Sequence, residues 1–204
     1  MILRDLTDGL CTLRLNRPDK ANALTGAMLD SLDAEIVRAE AEGAKALILT
    51  GEGKVFSAGA DLDAAKDGLA TDPVWERLSS RIAGFAGLTI CAMNGTAAGG
   101  ALGMVLACDL RLSVPGATVF YPVMRLGYLP QPSDPGRLMA LVGPARAKMI
   151  LMAGQKIPVE EARDWGLIDR IVPPERLMDE ALMLAAGPLA ASASHVVAIK
   201  RMIG

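Results

Sequence analysis

The sequence predicts an α/β fold, with a largely parallel sheet in the first half of the chain and helices dominating the second. Three observations predict it. Short all-apolar runs at residues 46–49 and 88–93 read as strands buried on both faces, as in a parallel sheet. Segments of helical spacing alternate with those runs. Two glycine-bearing turns each follow a short apolar strand and open into a helix, and beyond residue 116 the strand signals thin out.

Taken in order, residues 2–6 and 10–15 form strands joined through the Asp8-Gly9 turn. From Thr25 the positions Met28, Leu29, Leu32, Ile36 and Val37 follow helical spacing, with Thr25 as N-cap and Gly43 as the stop. Gly51-Glu52-Gly53 breaks the strand at 46–49, and a second helix is expected over about 72–85. Residues 82–108 carry no charge and are long enough to cross a bilayer. Asn94-Gly95 and Gly99-Gly100 interrupt them with turn signals, so strand, turn and buried helix is the better reading. Residues 109–114 read as one more strand. Pro122, Pro130, Pro132 and Pro135 then punctuate a loop-rich stretch. Helices are expected over about 136–142, 145–153, 159–165, 175–186 and 189–202, with an extended segment at 167–172. No internal repeat or low-complexity linker is visible, and 204 residues suit one domain, roughly 1–150 as core and 151–204 as a helical region.

Composition narrows the function classes. With 51% hydrophobic and 22% charged residues the chain is globular in type, which excludes wholesale disorder. A net charge of -2 gives no electrostatic case for nucleic acid or an anionic membrane. The opening MILRDLTDGL has acids and no continuous apolar core, unlike a signal peptide. Cys11, Cys91 and Cys108 sit in apolar runs without metal-ligand spacing, as expected of a reduced, cytoplasmic protein. With one histidine, His195, no multi-histidine metal site is possible.

Two glycine-bearing turns stand out as places for chemistry, Phe56-Ser57-Ala58-Gly59-Ala60-Asp61-Leu62 and Asn94-Gly95-Thr96-Ala97-Ala98-Gly99-Gly100-Ala101-Leu102-Gly103. Ligands collect beyond the carboxyl ends of parallel strands, where free backbone N–H groups receive an oxyanion or phosphate. Neither turn matches a dinucleotide fingerprint or a phosphate loop. The bland alternative is that these glycines serve only tight turns and close helix-to-strand packing.

Both turns, with Asn16-Arg17-Pro18-Asp19-Lys20-Ala21-Asn22-Ala23-Leu24, Ala107-Cys108-Asp109-Leu110-Arg111, Gly154 and Ala162-Arg163-Asp164-Trp165-Gly166-Leu167-Ile168, resemble the crotonase (enoyl-CoA hydratase/isomerase) family over nearly the whole chain. The resemblance implies a spiral of ββα units with a helical C-terminal part, assembled as a homo-trimer or dimer of trimers. It implies an acyl-CoA substrate, with coenzyme A as part of it and no tightly bound cofactor or metal. The thioester oxygen would receive the N–H groups of Ala58 and Gly100, donors that gain strength as enolate charge develops. Lys20, Ala21 and Ala23 with Ala58, Gly59, Ala60, Asp61, Leu62 and Gly100 would flank the coenzyme A. Lys20 would meet a phosphate or stay solvated, and Asp61 also reads as a helix cap.

The departures are as informative. Hydratases of the family carry two glutamates, and the matching positions here are Gly103 and Val123. Water addition needs a base and an acid, each worth about 10²–10⁴-fold, so efficient hydration is not expected. Substitute acid/base candidates are Tyr128, Gln131 and Asp134. Asp134 precedes Pro135 and reads first as an N-cap with Pro at N1. Tyr121 and Tyr128 read as weak acids or as core and rim residues, and Arg125 as a carboxylate ligand or a solvated cation. The C-terminus is short for the family, which leaves trimer packing open. Two other readings compete: a catalytically silent acyl-CoA-binding or assembly subunit, and a hydrolase pairing Ser57 or Ser133 with His195.

Overall fold

A computed structural model describes residues 1–203. Strands β1 (Ile2–Thr7) and β2 (Leu10–Leu15) pair antiparallel across Asp8-Gly9, both at positive φ (51° and 83°), as a tight hairpin turn requires. β2 then pairs in parallel with β3 (Ala46–Gly51), and β3 with β5 (Leu88–Met93). β5 pairs with β7 (Leu110–Ser113) and β7 with β10 (Arg170–Ile171), completing a six-stranded sheet in the order β1-β2-β3-β5-β7-β10. β3 is buried along its whole length, which is why its sequence is apolar without alternation.

A second, four-stranded sheet runs β4 (Val55–Ser57), β6 (Thr96–Ala98), β8 (Thr118–Phe120) and β9 (Ile157–Pro158). Its first three strands are parallel, and each follows a strand of the large sheet, so the chain steps repeatedly from large sheet to small sheet to helix. That is the ββα spiral. The uncharged stretch at 82–108 resolves into β5, β6 and the short helix α4 (Ala101–Ala107), every residue of which is buried.

The remaining helices are α1 (Gly26–Ala41), α2 (Leu62–Lys66), α3 (Val74–Ala83), α5 (Val123–Leu126), α6 (Asp134–Leu151), α7 (Val159–Asp164), α8 (Leu177–Ala190) and α9 (Ala193–Ile203). Thr25 caps α1 by accepting the Met28 N–H at 3.3 Å, as the sequence implies. The two helices expected at 136–142 and 145–153 are the arms of α6, broken where Gly143 adopts φ 77° ahead of Pro144. The extended segment at 167–172 contracts to a two-residue strand, and the helix expected from 175 is a single turn of 3₁₀ helix leading into α8.

The C-terminal helices are tied back to the sheet by lysines. Lys45 Nζ donates to the carbonyls of Leu189 and Ala191, at the end of α8. Lys200 Nζ donates to the Gly87 carbonyl at 2.9 Å and to Asp109 at 2.7 Å. Among the described residues no single helix is long and apolar enough to cross a membrane.

Candidate active site

Because β4 and β6 are parallel neighbours, their carboxyl ends deliver both glycine turns to one place. The approach is backbone to backbone. A methyl group on Gly59 would sit 2.7 Å from the Ala98 carbonyl oxygen, and Gly59 has φ +90°, so glycine is required on both counts.

The first turn is held by polar contacts. Buried Ser57 donates its hydroxyl to the Asn22 carbonyl at 2.8 Å and accepts the Gly59 N–H at 3.1 Å. Buried Asn22 donates its amide to the carbonyls of Glu52 (2.9 Å) and Val55 (2.8 Å), while its oxygen accepts the Arg17 N–H at 2.9 Å. The Leu24 and Asp61 N–H groups complete the seam, donating to the carbonyls of Gly59 and Leu24, both at 2.8 Å. Asp61 accepts Arg17 at 2.7 Å and caps α2 by accepting the N–H groups of Asp63 and Ala64. The hydrogen bond from Arg17 holds the Asp61 carboxyl below the usual carboxylate range, helped by the Ala64 N–H. Lys20, Ala21 and Ala23 are therefore brought beside residues 58–62, with Lys20, Ala58 and Leu62 facing solvent.

The two expected donors differ. The Ala58 N–H already donates to the Ala21 carbonyl at 3.0 Å. The Gly100 N–H has no acceptor among the described residues. Gly100 lies against the ring of Trp75, whose indole N–H is anchored on the Leu69 carbonyl at 2.8 Å.

One turn further along α4, Gly103 faces Asp134. A methyl group there would stand 2.8 Å from one carboxylate oxygen and 2.9 Å from the other. The capping role expected of Asp134 is corrected: its carboxylate accepts no backbone N–H, and the helix begins at Asp134 itself, after Ser133. Asp134 is fully buried, and neither oxygen has a well-formed hydrogen bond. Burial raises its pKa to about 6, against the lowering influence of the Tyr121 hydroxyl and of Arg137. Tyr121 is buried too and its phenol is pushed up, by burial first and then by Asp134, so it is neutral at physiological pH. Its oxygen accepts the Gln131 N–H at 3.4 Å. Glu76, next to Trp75, bonds the Ser133 backbone at 3.1 Å and the Ser133 hydroxyl. Of the other acid/base candidates, Tyr128 is 38% exposed and Gln131 half-buried. Val123 is buried and apolar.

The serine-hydrolase arrangement is absent. Ser57 and Ser133 spend their hydroxyls on the Asn22 carbonyl and on Glu76, whereas exposed His195 donates its backbone N–H to Ser192 and its imidazole has no hydrogen bond among the described residues. His195 instead borders a cavity of about 1040 Å³, lined by Leu106, Cys108, Leu141, Pro188 and Val196 among others. Neither glycine turn contributes to that cavity. No three His, Cys, Asp or Glu side chains among the described residues are grouped as a metal ion would need.

Residues 5–203 match the model of a family described as enoyl-CoA hydratase/isomerase. The chain is 34% identical over 196 residues to 4-chlorobenzoyl coenzyme A dehalogenase-1 of Arthrobacter sp, covering 89% of this chain and 71% of that one. It is 31% identical over 194 residues to 1,2-epoxyphenylacetyl-CoA isomerase of Escherichia coli, covering 90% and 74%. Among solved structures, the enoyl-CoA hydratase from Bacillus anthracis superposes with a TM-score of 0.92 at 29% identity, over 99% of this chain and 81% of that one.

Proposed function

The chain belongs to the acyl-CoA-processing enoyl-CoA hydratase/isomerase family, and from that premise we propose that it binds an acyl-CoA thioester and stabilises its enolate through the backbone N–H groups of Ala58 and Gly100. The observation that carries the reading is the Gly100 N–H, left without an acceptor where the second turn abuts the first. A donor fixed before the reaction spends nothing on reorganisation, and one such donor is worth about 3 kcal/mol in the transition state. The Ala58 N–H is shared with a neutral carbonyl, and an enolate oxygen competes well for it, because charge-assisted hydrogen bonds are about twice as strong. Lys20, Ala21, Ala23, Gly59, Ala60, Asp61 and Leu62 flank the pantetheine and nucleotide of the bound thioester. Coenzyme A arrives as part of the substrate, and no resident cofactor is called for.

Gly103 and Val123 supply no carboxylate, so the protein is a poor hydratase. Steady-state turnover of crotonyl-CoA is expected well below the rate of an ordinary metabolic enzyme, about 10 s⁻¹. The exposed apolar side chains Met124, Leu126, Leu129, Met139, Met149 and Met152 support assembly as a homo-trimer or a dimer of trimers, which light scattering on the purified chain will test.

One observation favours the second reading, a silent acyl-CoA-binding or assembly subunit: the Ala58 N–H is already engaged. A thermal-shift titration with coenzyme A, acetyl-CoA, crotonyl-CoA and malonyl-CoA, with products followed by mass spectrometry, separates the two. A thioester at 100 times its Kd stabilises the fold by about 2.7 kcal/mol. Stabilisation with chemical change supports the enzyme. Stabilisation with none of these or of longer unsaturated thioesters changed supports the silent subunit, and no stabilisation by any thioester removes both.

A further inference from the structure

We propose that Asp134 is the acid–base carboxylate of this site, carrying a proton between two carbons of a bound unsaturated acyl thioester. The inference rests on the enolate-stabilising reading above and assigns the reaction class to the same site.

The geometry is that of a carboxylate given room rather than partners. Asp134 sits at the start of α6 where a structural aspartate would accept backbone N–H groups, and it accepts none. It points at α4, where the missing side chain of Gly103 leaves the space its oxygens fill. Burying a carboxylate without hydrogen bonds opposes folding, so packing alone does not account for it. Gly103 follows Gly100 by one helical turn on the same side of α4, so the carboxylate lies about one turn along the helix from the free N–H. The groups facing it are few. They are the Tyr121 hydroxyl from the β8–α5 junction, Arg137 from its own helix and Glu76 from α3. Arg137 donates to the Ser79 hydroxyl at 2.7 Å and Glu76 is bonded to Ser133, so both have other partners. To reach the carboxylate an acyl chain must pass residues 127–133, of which Gln131 donates its N–H to the Tyr121 hydroxyl at 3.4 Å and Ser133 is bonded to Glu76.

The chemistry balances with one carboxylate. Asp134 takes a proton from the α-carbon of a β,γ-unsaturated thioester, and the C–H electron pair becomes the enolate double bond, with its charge on the thioester oxygen. The resulting carboxylic acid returns the proton to the γ-carbon as the π electrons shift, leaving the α,β-unsaturated thioester. No water is consumed, and no second acid or base is needed. A carboxyl titrating near 6 is mostly ionised at pH 7, ready to accept, while its conjugate acid returns the proton readily.

The test uses 3-hexenoyl-CoA in D₂O, with binding by thermal shift, isomerisation by the absorbance of the conjugated product and deuterium at the α- and γ-carbons by mass spectrometry. The wild type should bind, isomerise and exchange, with kcat/KM rising with pH through about 6. Asp134→Asn keeps the shape and should bind the thioester within about 3-fold of wild type, yet lose about 10²–10⁴-fold of both isomerisation and exchange. Gly103→Ala leaves Asp134 in place but pushes its carboxylate aside, and should lower exchange at least about 10-fold. It stands as the second probe if the asparagine variant does not fold. Binding by the wild type with neither exchange nor isomerisation overturns this proposal alone. So does a folded Asp134→Asn variant that exchanges at the wild-type rate. Absence of thioester binding by the wild type overturns the enolate reading beneath it as well.

Discussion

The two glycine turns are built on the same plan, strand, turn and helix, and are held by different balances of hydrogen bonding and packing. Around Ala58 the backbone is fixed by hydrogen bonds: Ser57, Asn22, Arg17 and Asp61 bond carbonyls, N–H groups or one another across three segments, and the Ala58 N–H itself is spent on Ala21. Around Gly100 packing carries more of the load: Trp75 lies on one side and fully buried α4 behind, the Gly99 N–H donates to the Phe120 carbonyl at 3.0 Å, and the Gly100 N–H is left free. Only the second turn leads into a helix whose glycine faces a buried carboxylate with no well-formed hydrogen bond. The contrast teaches that the fold spends its polar partners where the segments at 17–24 and 57–62 must be held together, and leaves polar groups unspent where bonds in a substrate would change.

Exchanging one glycine for alanine in each turn strains that comparison most. Gly59→Ala should cost at least about 3 kcal/mol, from the positive φ and a methyl 2.7 Å from a carbonyl oxygen. Gly99→Ala has φ +56° and only an ordinary 3.7 Å contact, and should cost about 1 kcal/mol. Urea midpoints measure both, and equal losses would mean that the turns do not touch. Next comes Asp134→Asn. The folded pKa of Asp134, about 6, lies above the ordinary 3.8, so the ionised group destabilises the fold, fully above pH 6 and not at all below about 4. The asparagine variant should therefore be more stable than wild type at pH 8, by up to about 3 kcal/mol, with the gain gone at pH 4. Denaturant melts at the two pH values check it, and a variant less stable at pH 8 would show that the carboxylate has partners after all. Ser57→Ala strips the first turn of a donor and an acceptor at once, leaving the Asn22 carbonyl and the Gly59 N–H unpaired in the interior, a loss of about 2 kcal/mol by the same melts. Smallest is Asp61→Asn. The depressed pKa of Asp61 means that its ionised form stabilises the fold above the usual carboxylate range and ceases to as pH falls through the lowered value. A thermal midpoint below wild type at pH 7, converging with it in strong acid, is the expected result.

The large sheet was legible because burial writes itself into composition. β3 and β5 are apolar runs, α1 announces its cap at Thr25, and the hairpin turn is spelled Asp8-Gly9. The small sheet was not separately legible. Strands of three residues carry too little pattern, and β4, β6 and β8 were foreseen only as parts of a ββα spiral taken from family resemblance. At the site, Gly103 and Asp134 were each visible, one as a missing glutamate and the other as a helix cap first and an acid/base candidate second. Their contact belongs to the crossing of α4 and α6, and no local rule encodes it. The Asp-Pro signal pointed to the helix start within one residue and to the wrong use of the side chain, because burial against Gly103 prevailed over capping. The Ala21–Ala58 hydrogen bond was equally invisible, since backbone partners leave no mark on residue identity.

The lysines that hold the C-terminal helices bear on how the molecule is made. Lys45 finds its carbonyl acceptors 144 and 146 residues downstream, and the Gly87 carbonyl receives Lys200 from 113 residues away. Contacts of such sequence separation are paid for in loop-closure entropy before they return anything, and folding slows as they accumulate. A nascent chain that has exposed β3 and β5 must therefore wait for α8 before the face of the sheet that this helix packs on is covered, and this delay is the interval in which the sheet is most open to association with other chains.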